Sequence, residues 1–274
     1  MTVSTQGQHG HRSRGRARPG QRAWWPLLGA LAAAGLAAPA AKAAQFKVVM
    51  LTPADDPRLQ RARLERGSLG HASGPAADAV KLALADGQLE LDAVAAKLSL
   101  EVLEVADANA AKAAAAGAEK AGAVALIADL PAAWTLAAAD AVKLPVLNVA
   151  AAADRLRQAD CRKNLQHVLP SDRMRSDALA QALMARRWNQ VLLLTGPSAE
   201  DRERSAAAQA SIKRYGLKLV GSMPFKLSAD PRERDLANPL LLTNAASSGA
   251  YDAVWVVDSD GEFARSLPYR IALP

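Results

Sequence analysis

Short apolar runs alternate with longer polar or alanine-rich segments along most of the chain. Ala123–Ala128 is almost continuously apolar, as expected for a parallel strand that is covered on both faces. Lys97–Val105 alternates apolar and polar residues with the two-residue period of a strand that has one better-buried face. The same pattern predicts further strands, which cover Phe46–Leu51, Pro145–Val149, Gln190–Leu194, Leu217–Phe225 and Tyr251–Val257.

The segments between these strands carry the spacing and the end signals of helices. Asp107 and Ser171 are candidate N-cap residues, because a side-chain oxygen there can accept a hydrogen bond from the first helical turn. The helix that begins at Asp172 is predicted to bury an apolar stripe of Met174, Ala178, Leu179, Ala182 and Leu183. Other helices are predicted at Pro75–Ala85, Asp107–Ala121, Pro131–Lys143 and Ser198–Tyr215, with a loop at 55–74 and an irregular helical segment at 230–246.

Strands that alternate with helices imply parallel sheets joined by helical crossovers. The alternation runs through two successive series of elements, separated by a short extended segment that Pro170 ends. We therefore predict an α/β protein with two lobes, 46–160 and 172–274, joined by a crossing at 161–171.

This division predicts which strands pair. Val191–Leu194 should pair in parallel with Leu217–Met223, whereas no strand after Gly196 should pair with Ala123–Ala128. The strand before the crossing should lie in the first lobe, and the helix after it should pack in the second. One continuous sheet through both halves would contradict this prediction.

The first 43 residues differ in composition from the rest of the chain. They contain six basic residues and no acidic one, and an apolar run, Ala23–Ala38, precedes Ala41-Lys42-Ala43. This order predicts a secretory signal peptide at 1–43, cleaved after Ala43, and a periplasmic protein without stable membrane insertion; an uncleaved anchor is the alternative.

Without the six basic residues of this segment, 28 of the 34 Lys and Arg residues remain against 27 Asp and Glu residues. This nearly neutral balance gives no support to a nucleic-acid partner.

Sequence motifs for catalysis or metal binding are absent. His71 and His167 have no metal-ligand partner at helical or hairpin spacing. Cys161 is the only cysteine, which excludes an intramolecular disulfide, and on an extended chain it lies roughly 20 Å from His167, too far for a catalytic pair. We therefore predict no enzymatic activity, no metal and no cofactor.

Asp258–Glu262 could be a calcium site, but it lacks the terminal glutamate of a calcium-binding loop, so a solvated turn is favoured.

In open parallel sheets, ligands bind beyond the carboxyl ends of the strands, where backbone amides and helix N-termini point outward. Two lobes would bring two such edges face to face, and hinge closure would bury a small molecule between them. Trp134, Trp188 and Trp255 are predicted to lie in the core or on the cleft wall. The strand-end residues predicted to contact the ligand, with plain tight turns as the alternative for each, are Thr52, Asp129, Leu130, Ala150, Ala151, Thr195, Gly196, Asp258 and Ser259.

Three segments carry a resemblance to a known family: LPVLNVAAAADRLRQADCRKNLQHV at 144–168, its continuation to Gly196, and YDAVWVVDSDGEFARSLPYR at 251–270. The chain from Phe46 to Arg270 resembles the type 1 periplasmic binding proteins. Within them it is most similar to the substrate-binding components of ABC transporters associated with PQQ-dependent (quinoprotein) alcohol dehydrogenase systems. The resemblance implies a two-lobed fold and a non-enzymatic receptor that delivers a small molecule to the membrane subunits of an ABC transporter. It does not identify the ligand.

Members of this family normally continue well beyond the position equivalent to Arg270. The resemblance therefore implies that the second lobe is truncated at its C-terminal side. Two alternatives remain open on this basis: a ligand-sensing or regulatory periplasmic module of the same fold, and a non-functional truncated remnant. An enzyme on a flavodoxin-like sheet is a further class, which the missing phosphate-binding and acid–base motifs disfavour.

Overall fold

A computed structural model describes residues 43–56, 58–59, 74–226, 251–259, 261, 263–264 and 267. The signal peptide, most of the predicted loop at 55–74 and the predicted helical segment at 230–246 lie outside the described residues. Glu262 of the calcium alternative lies outside them as well.

Five parallel strands form the first sheet, in the order β2-β1-β3-β4-β5. The strands are β1 (Ala44–Pro53), β2 (Ala96–Val105), β3 (Ala123–Ala128), β4 (Val146–Asn148) and β5 (Leu165–His167). The connecting segments contain α1 (Ala76–Asp86), α2 (Gln88–Ala93), α3 (Ala108–Lys120), α4 (Ala132–Asp140) and a 3₁₀ helix at Asp154–Arg157. We call these elements the first lobe.

Both faces of the first sheet are covered, as its near-continuous apolar strands require. On one face, α3 and α4 pack small alanine side chains against Val49 and Leu126. On the other face, α1 packs Ala77 against Met50 and Ile127. Val49 and Met50 lie in different cores because successive side chains of a strand point to opposite faces.

Three parallel strands form the second sheet, in the order β7-β6-β8. They are β6 (Gln190–Thr195), β7 (Lys218–Pro224) and β8 (Ala253–Val257), and α5 (Asp172–Ala185) and α6 (Ala199–Arg214) pack with them as the second lobe. The predicted pairing of β6 with the following strand is confirmed. Within the described ranges, no strand after Gly196 pairs with β3, as predicted.

Both predicted N-caps are confirmed. The Asp107 carboxylate accepts a hydrogen bond from the Ala110 N–H at 2.8 Å and begins α3. The Ser171 hydroxyl accepts one from the Met174 N–H at 3.3 Å and begins α5. Asp172 follows in the first turn, where the helix dipole favours negative charge.

Part of the segment predicted as the crossing also pairs with the first sheet. Residues 165–167, assigned to it from the sequence, form β5 and pair in parallel with β4 at the edge of the first sheet. The short apolar–polar run of β5 is enough for an edge strand, because its neighbour supplies the hydrogen-bonding partner. The segment between the last strand of the first sheet and the first helix of the second lobe is therefore 168–171.

Packing also corrects two predictions of burial. In α5 the buried residues are Ser176, Ala180 and Leu183, whereas Met174 and Leu179 are 57% and 42% exposed. The buried face carries mainly small side chains, which let α5 approach α6 closely. Trp188, predicted to lie in the core or on the cleft wall, is instead exposed, and the Arg186 guanidinium lies 5.1 Å from its ring centroid.

Candidate functional site

A cleft of about 620 Å³ lies between the two lobes. Its first wall consists of the carboxyl ends of β1, β3 and β4 and the segments that follow them. Its second wall consists of the first turns of α5 and α6, together with Ser259 after β8. This volume lies in the range of sites for small molecules.

The segment after β4 forms a backbone surface in the cleft. Four alanines, 150–153, line it, so no long side chain separates the main chain from the cleft there. The buried side chain of Asn148 sets their conformation, since its Oδ1 accepts hydrogen bonds from the N–H groups of Ala150 (3.2 Å) and Ala151 (2.8 Å). Its Nδ2 donates to the Ala151 carbonyl at 2.7 Å, so one amide fixes both polar groups of Ala151.

The N-terminus of α4 opens onto the same wall. Leu130, Pro131, Ala132 and Trp134 line the cleft there. Pro131 is the N-cap residue, and no side chain among the described residues caps this helix. The first N–H groups of a helix have no partner within it, so this end offers donors and a positive partial charge to the cleft.

An arginine joins the segments after β1 and β3. The Arg58 guanidinium donates to Asp56 through Nε (2.9 Å) and Nη2 (2.7 Å), and to Asp129 Oδ1 through Nη1 at 2.9 Å. Both carboxylates are buried, while the guanidinium is half exposed on the cleft wall. Hydrogen bonding to Asp56, with further contributions from Asp129, raises the pKa of Arg58 above its ordinary value.

The second wall is lined mainly by charged side chains from the first turns of two helices. Arg204 donates to Glu200 at 2.6 Å, and its Nε lies 3.4 Å from Asp172 Oδ1. Burial raises the pKa of Asp172, which the Arg204 guanidinium opposes. Glu203, also on this wall, is exposed and has no ion-pair partner in the described part of the chain.

The strand ends of the second lobe are closed by a carboxylate of the protein itself. Asp201 Oδ2 accepts hydrogen bonds from Ser198 Oγ (2.6 Å) and Ser198 N–H (3.1 Å), and Oδ1 accepts one from Ser259 N–H at 2.6 Å. Burial would raise the pKa of Asp201, but these hydrogen bonds outweigh it and the pKa lies below its ordinary value. Gly196 is in contact with this carboxylate, since an added Cβ would lie 2.4 Å from Asp201 Oδ2.

The nine candidate residues divide between the cleft and its surroundings. Leu130, Ala150, Ala151 and Ser259 line the cleft. The other five lie outside its lining. Thr52 lies in β1, and Asp129 accepts a hydrogen bond from Arg58. Thr195 is hydrogen-bonded to Ser205 Oγ at 2.8 Å, Gly196 lies against Asp201, and Asp258 lines a smaller cavity of about 200 Å³ together with Trp255.

Sequence reasoning missed the charged residues of the cleft. Position at a strand end was the only criterion for a candidate, whereas Glu200, Glu203 and Arg204 lie inside a predicted helix. Ser198 at the start of that helix was the available signal, because residues of the first turn after a strand face the same edge as the strand end. Trp134, which lines the cleft, does lie where the sequence predicted.

Other chemistry is limited in the part of the chain that the structure describes. It contains no group of three or more His, Cys, Asp and Glu residues arranged to hold a metal ion. None of its helices combines the length and the hydropathy needed to cross a membrane. Cys161 is exposed and unpaired.

No protein-family model matches the chain, and no curated protein sequence matches it. Solved structures match its fold. One is an ABC transporter substrate-binding protein from Desulfitobacterium hafniense in complex with Leu: 16% identity, TM-score 0.59, covering 82% of this chain and 62% of that one. A branched-chain amino acid ABC transporter periplasmic ligand-binding protein from Burkholderia xenovorans LB400 is 18% identical, with a TM-score of 0.59 and coverage of 83% and 58%.

A third structure is an ABC transporter solute-binding protein from Rhodopseudomonas palustris BisB5 in complex with 3,4-dihydroxybenzoic acid. It is 17% identical, with a TM-score of 0.56, and the match covers 82% of this chain and 60% of that one. The chain thus spans about three-fifths of the length of these solved chains. At these identities the likeness establishes the fold: the chain has the α/β fold of the type 1 periplasmic binding proteins of ABC transporters.

Proposed function

We propose that this protein is a solute receptor that binds a small molecule in the cleft between its lobes and delivers it to an ABC transporter. The observation that carries the proposal is the cleft itself, which the carboxyl ends of the first sheet and the helix N-termini of the second lobe line together. Closure of the lobes by motion at 168–171 would then bury the solute, as in hinged receptors generally. The solved structures of similar fold, which include a complex with leucine, support this reading.

The polar groups of the cleft favour a zwitterionic solute of the amino-acid type. A carboxylate fits the uncapped N-terminus of α4, where unpaired N–H groups and the helix dipole attract an anion. Each of the three arginines on the walls, Arg58, Arg155 and Arg204, already donates to a carboxylate of the protein. An anionic group of the solute therefore depends on the backbone of the first lobe.

The ammonium group of such a solute, unlike its carboxylate, has charged side chains available as partners in the cleft. Asp55 on the first wall and Glu203 on the second are exposed carboxylates without an ion-pair partner among the described residues. Acidic side chains outnumber basic ones around the cleft, which disfavours a solute that is only an anion, such as an aromatic acid. Leu130, Pro131 and Trp134 offer an apolar surface for the side chain of an amino-acid solute.

Titration calorimetry of the purified chain with L-leucine, L-arginine and 3,4-dihydroxybenzoate tests the proposal. We expect an amino acid to bind and 3,4-dihydroxybenzoate to bind more weakly. Trp134→Ala should weaken binding by about five- to thirtyfold, because a buried aromatic contact contributes on the order of 1–2 kcal/mol. The matched control is Trp188→Ala, which removes an exposed tryptophan outside the cleft lining and should leave affinity unchanged.

Equal loss of affinity in both tryptophan variants would contradict binding in this cleft. Preferred binding of 3,4-dihydroxybenzoate would contradict the zwitterionic assignment while leaving the receptor role intact. A broad thermal-shift screen in which no small molecule raised the melting temperature of the protein would contradict the receptor role.

The cellular setting is a further part of the proposal. The arginine-rich start and apolar run support cleavage after Ala43 and a periplasmic protein that meets the membrane subunits of the transporter. N-terminal sequencing of the protein from a periplasmic extract checks this, and an intact Met1 in the membrane fraction would contradict it.

The association with PQQ-dependent alcohol oxidation rests on the sequence resemblance alone. Adding PQQ, short alcohols and their acids to the thermal-shift screen tests it. A ligand-sensing module of the same fold would bind the same solutes, so loss of solute uptake on deletion of the protein separates a transport receptor from a sensor. We propose no enzymatic activity, and turnover that a single substitution abolishes would contradict this.

A further inference from the structure

Asn148 connects the cleft to the edge of the first sheet. Its side chain is fully buried at the end of β4, where three hydrogen bonds hold the backbone of Ala150 and Ala151. Its Nδ2 also lies 2.9 Å from His167 Nδ1, since the two residues are neighbours in the β4–β5 register. The shape of the cleft backbone therefore depends on a side chain that contacts an imidazole.

The backbone contacts fix the orientation of the Asn148 amide. Two N–H groups point at one of its atoms, which must be the carbonyl oxygen, and the Ala151 carbonyl faces the other, which must be the NH₂ group. That NH₂ group can only donate to His167. His167 Nδ1 is therefore an acceptor, and the imidazole is neutral with its proton on Nε2.

The surroundings of His167 disfavour a second proton. Partial burial lowers its pKa, and the Arg157 guanidinium of the 3₁₀ helix lowers it further, whereas hydrogen bonding to the Leu156 backbone raises it. On β4 the facing residue is the neutral Asn148. Once Nδ1 carried a proton, two N–H donors would oppose each other at 2.9 Å, and the bond to Asn148 would be lost.

The same cluster holds the segment that leads into the second lobe. Val168 N–H donates to the Asn148 carbonyl at 3.2 Å, and the Arg157 guanidinium donates to the Leu169 carbonyl. Asp172 N–H donates to the Ala152 carbonyl at 2.9 Å. A change at His167 therefore acts both on the cleft backbone and on the connection between the lobes.

We propose that Asn148 and His167 are a positioning pair for the cleft backbone at 150–151, and that protonation of His167 breaks the pair and weakens solute binding. The consequence for binding rests on the proposed receptor function, whereas the pair itself does not. The device makes affinity fall as the pH falls through the range in which His167 takes up its proton.

Two-dimensional NMR of the purified chain tests the pair without a ligand. Between pH 7.5 and 5, the imidazole ¹⁵N signals should show the Nε2–H form at high pH, and the amides of Ala150 and Ala151 should shift with the same midpoint as His167. An Nδ1–H form at high pH, or alanine amides that do not follow His167, would overturn the proposal.

Two substitutions separate positioning from a merely structural role. His167→Asn keeps an acceptor for Asn148 Nδ2 but cannot titrate, so the alanine amides should keep their positions and lose their pH dependence. Asn148→Asp places a carboxylate beside the ring and should raise the pKa of His167 above that of the parent protein. Unchanged titration of the alanine amides in His167→Asn would overturn the proposal even if Asn148→Asp failed to fold.

Calorimetry with L-leucine at pH 7.5 and at a pH below the midpoint of the His167 NMR titration tests the consequence for binding. Affinity should fall about two- to tenfold at the lower pH, the loss expected for one hydrogen bond, and His167→Asn should remove this dependence. The same pH dependence in His167→Asn would overturn the proposed effect on binding. If leucine bound at neither pH, that result would count against the proposed solute, and the NMR titration would still decide on the pair.

Discussion

The N-termini of α4 and α6 face the same cleft, yet they are built in opposite ways. Helix α4 begins at Pro131, and no side chain of the described residues caps it. Helix α6 begins at Ser198 in a capping box with Asp201, which also accepts the Ser259 N–H. The first lobe therefore leaves its first helical N–H groups without a side-chain cap, while the second lobe fills the equivalent position with its own carboxylate.

The strand-end rule therefore indicates a candidate ligand position only where the protein's own side chains have not already bonded the backbone N–H groups. Both strand ends combine backbone N–H groups with a helix dipole, and both attract negative charge. In the second lobe Asp201 supplies that charge permanently, so Thr195 and Gly196 support structure and lie outside the cleft lining.

Removing the internal carboxylate should strongly destabilise the second lobe. Asp201→Ala leaves the Ser259 N–H and the Ser198 N–H without their acceptor in a buried position. We expect a loss of about 2–4 kcal/mol in the free energy of unfolding, measured by urea denaturation, because hydrogen bonds to a charged group contribute more than neutral ones.

The control for this substitution is Glu200→Ala in the same helical turn. Glu200 forms an exposed ion pair with Arg204, and its removal should change the free energy of unfolding by less than about 0.5 kcal/mol. An Asp201→Ala protein as stable as the control would contradict the view that the second lobe depends on its own carboxylate.

A methyl group at Gly196 should be nearly as harmful. Its carbon would lie 2.4 Å from Asp201 Oδ2 and 3.1 Å from the Phe225 ring, so the carboxylate would have to move. We expect Gly196→Ala to cost about 1–3 kcal/mol, as overpacking usually does, in thermal or urea unfolding.

The matched control, Gly117→Ala, should change the free energy of unfolding in the opposite direction. Gly117 lies within α3, and an added Cβ there would meet no atom within 4 Å. Gly117→Ala should raise the free energy of unfolding by about 0.5–1 kcal/mol, because alanine is the better helix former. Destabilisation by both substitutions would show that the close approach to Asp201 is not the cause.

A carboxylate introduced at the N-terminus of α4 should cap that helix as the capping box of Ser198 and Asp201 caps α6. In Pro131→Asp, the new carboxylate can cap α4 and occupy the position proposed for the carboxylate of the solute. We expect leucine affinity to fall about tenfold, roughly 1.4 kcal/mol, with the stability of the protein unchanged or higher. Calorimetry measures the affinity and urea unfolding the stability.

Pro131→Ala removes the proline without adding a carboxylate and should bind leucine as the parent protein does. If it lost affinity equally, the effect would come from the proline ring. If Pro131→Asp bound leucine normally, the solute carboxylate would not lie at α4.

The smallest expected effect is a difference between the lobes in the pH range over which stability is lost. The pKa of His167 is lowered on folding, so the unfolded chain binds more protons below its ordinary value of 6.5 and stability falls there as the pH falls. The pKa of Asp201 is also lowered, so its contribution is full above its ordinary value of 3.8 and is lost only below it.

Urea unfolding from pH 7.5 to 3 in the parent protein, His167→Asn and Asp201→Asn separates the two contributions. His167→Asn should flatten the decline just below pH 6.5, and Asp201→Asn should flatten only the decline below about pH 3.8. The same flattening in both variants would contradict the assignment of one group to each range.

Local patterns determined most of the fold. Continuous or alternating apolar runs located the strands, because burial on two faces or on one face has a direct signature in sequence. Side-chain oxygens at Asp107 and Ser171 identified the starts of α3 and α5, because an N-cap needs only contacts within one turn. The division into two sheets followed from the order of these elements.

Tertiary structure decided everything that depends on residues far apart in the chain. The sequence could place Leu130, Ala150, Ala151 and Ser259 at strand ends, but only packing showed that they share a cleft with charged residues of α5 and α6. Asp201 reaches Ser259 across 58 positions, and Asn148 reaches His167 across 19. Hydrogen bonds of this kind have no local pattern, since the fold brings the partners together.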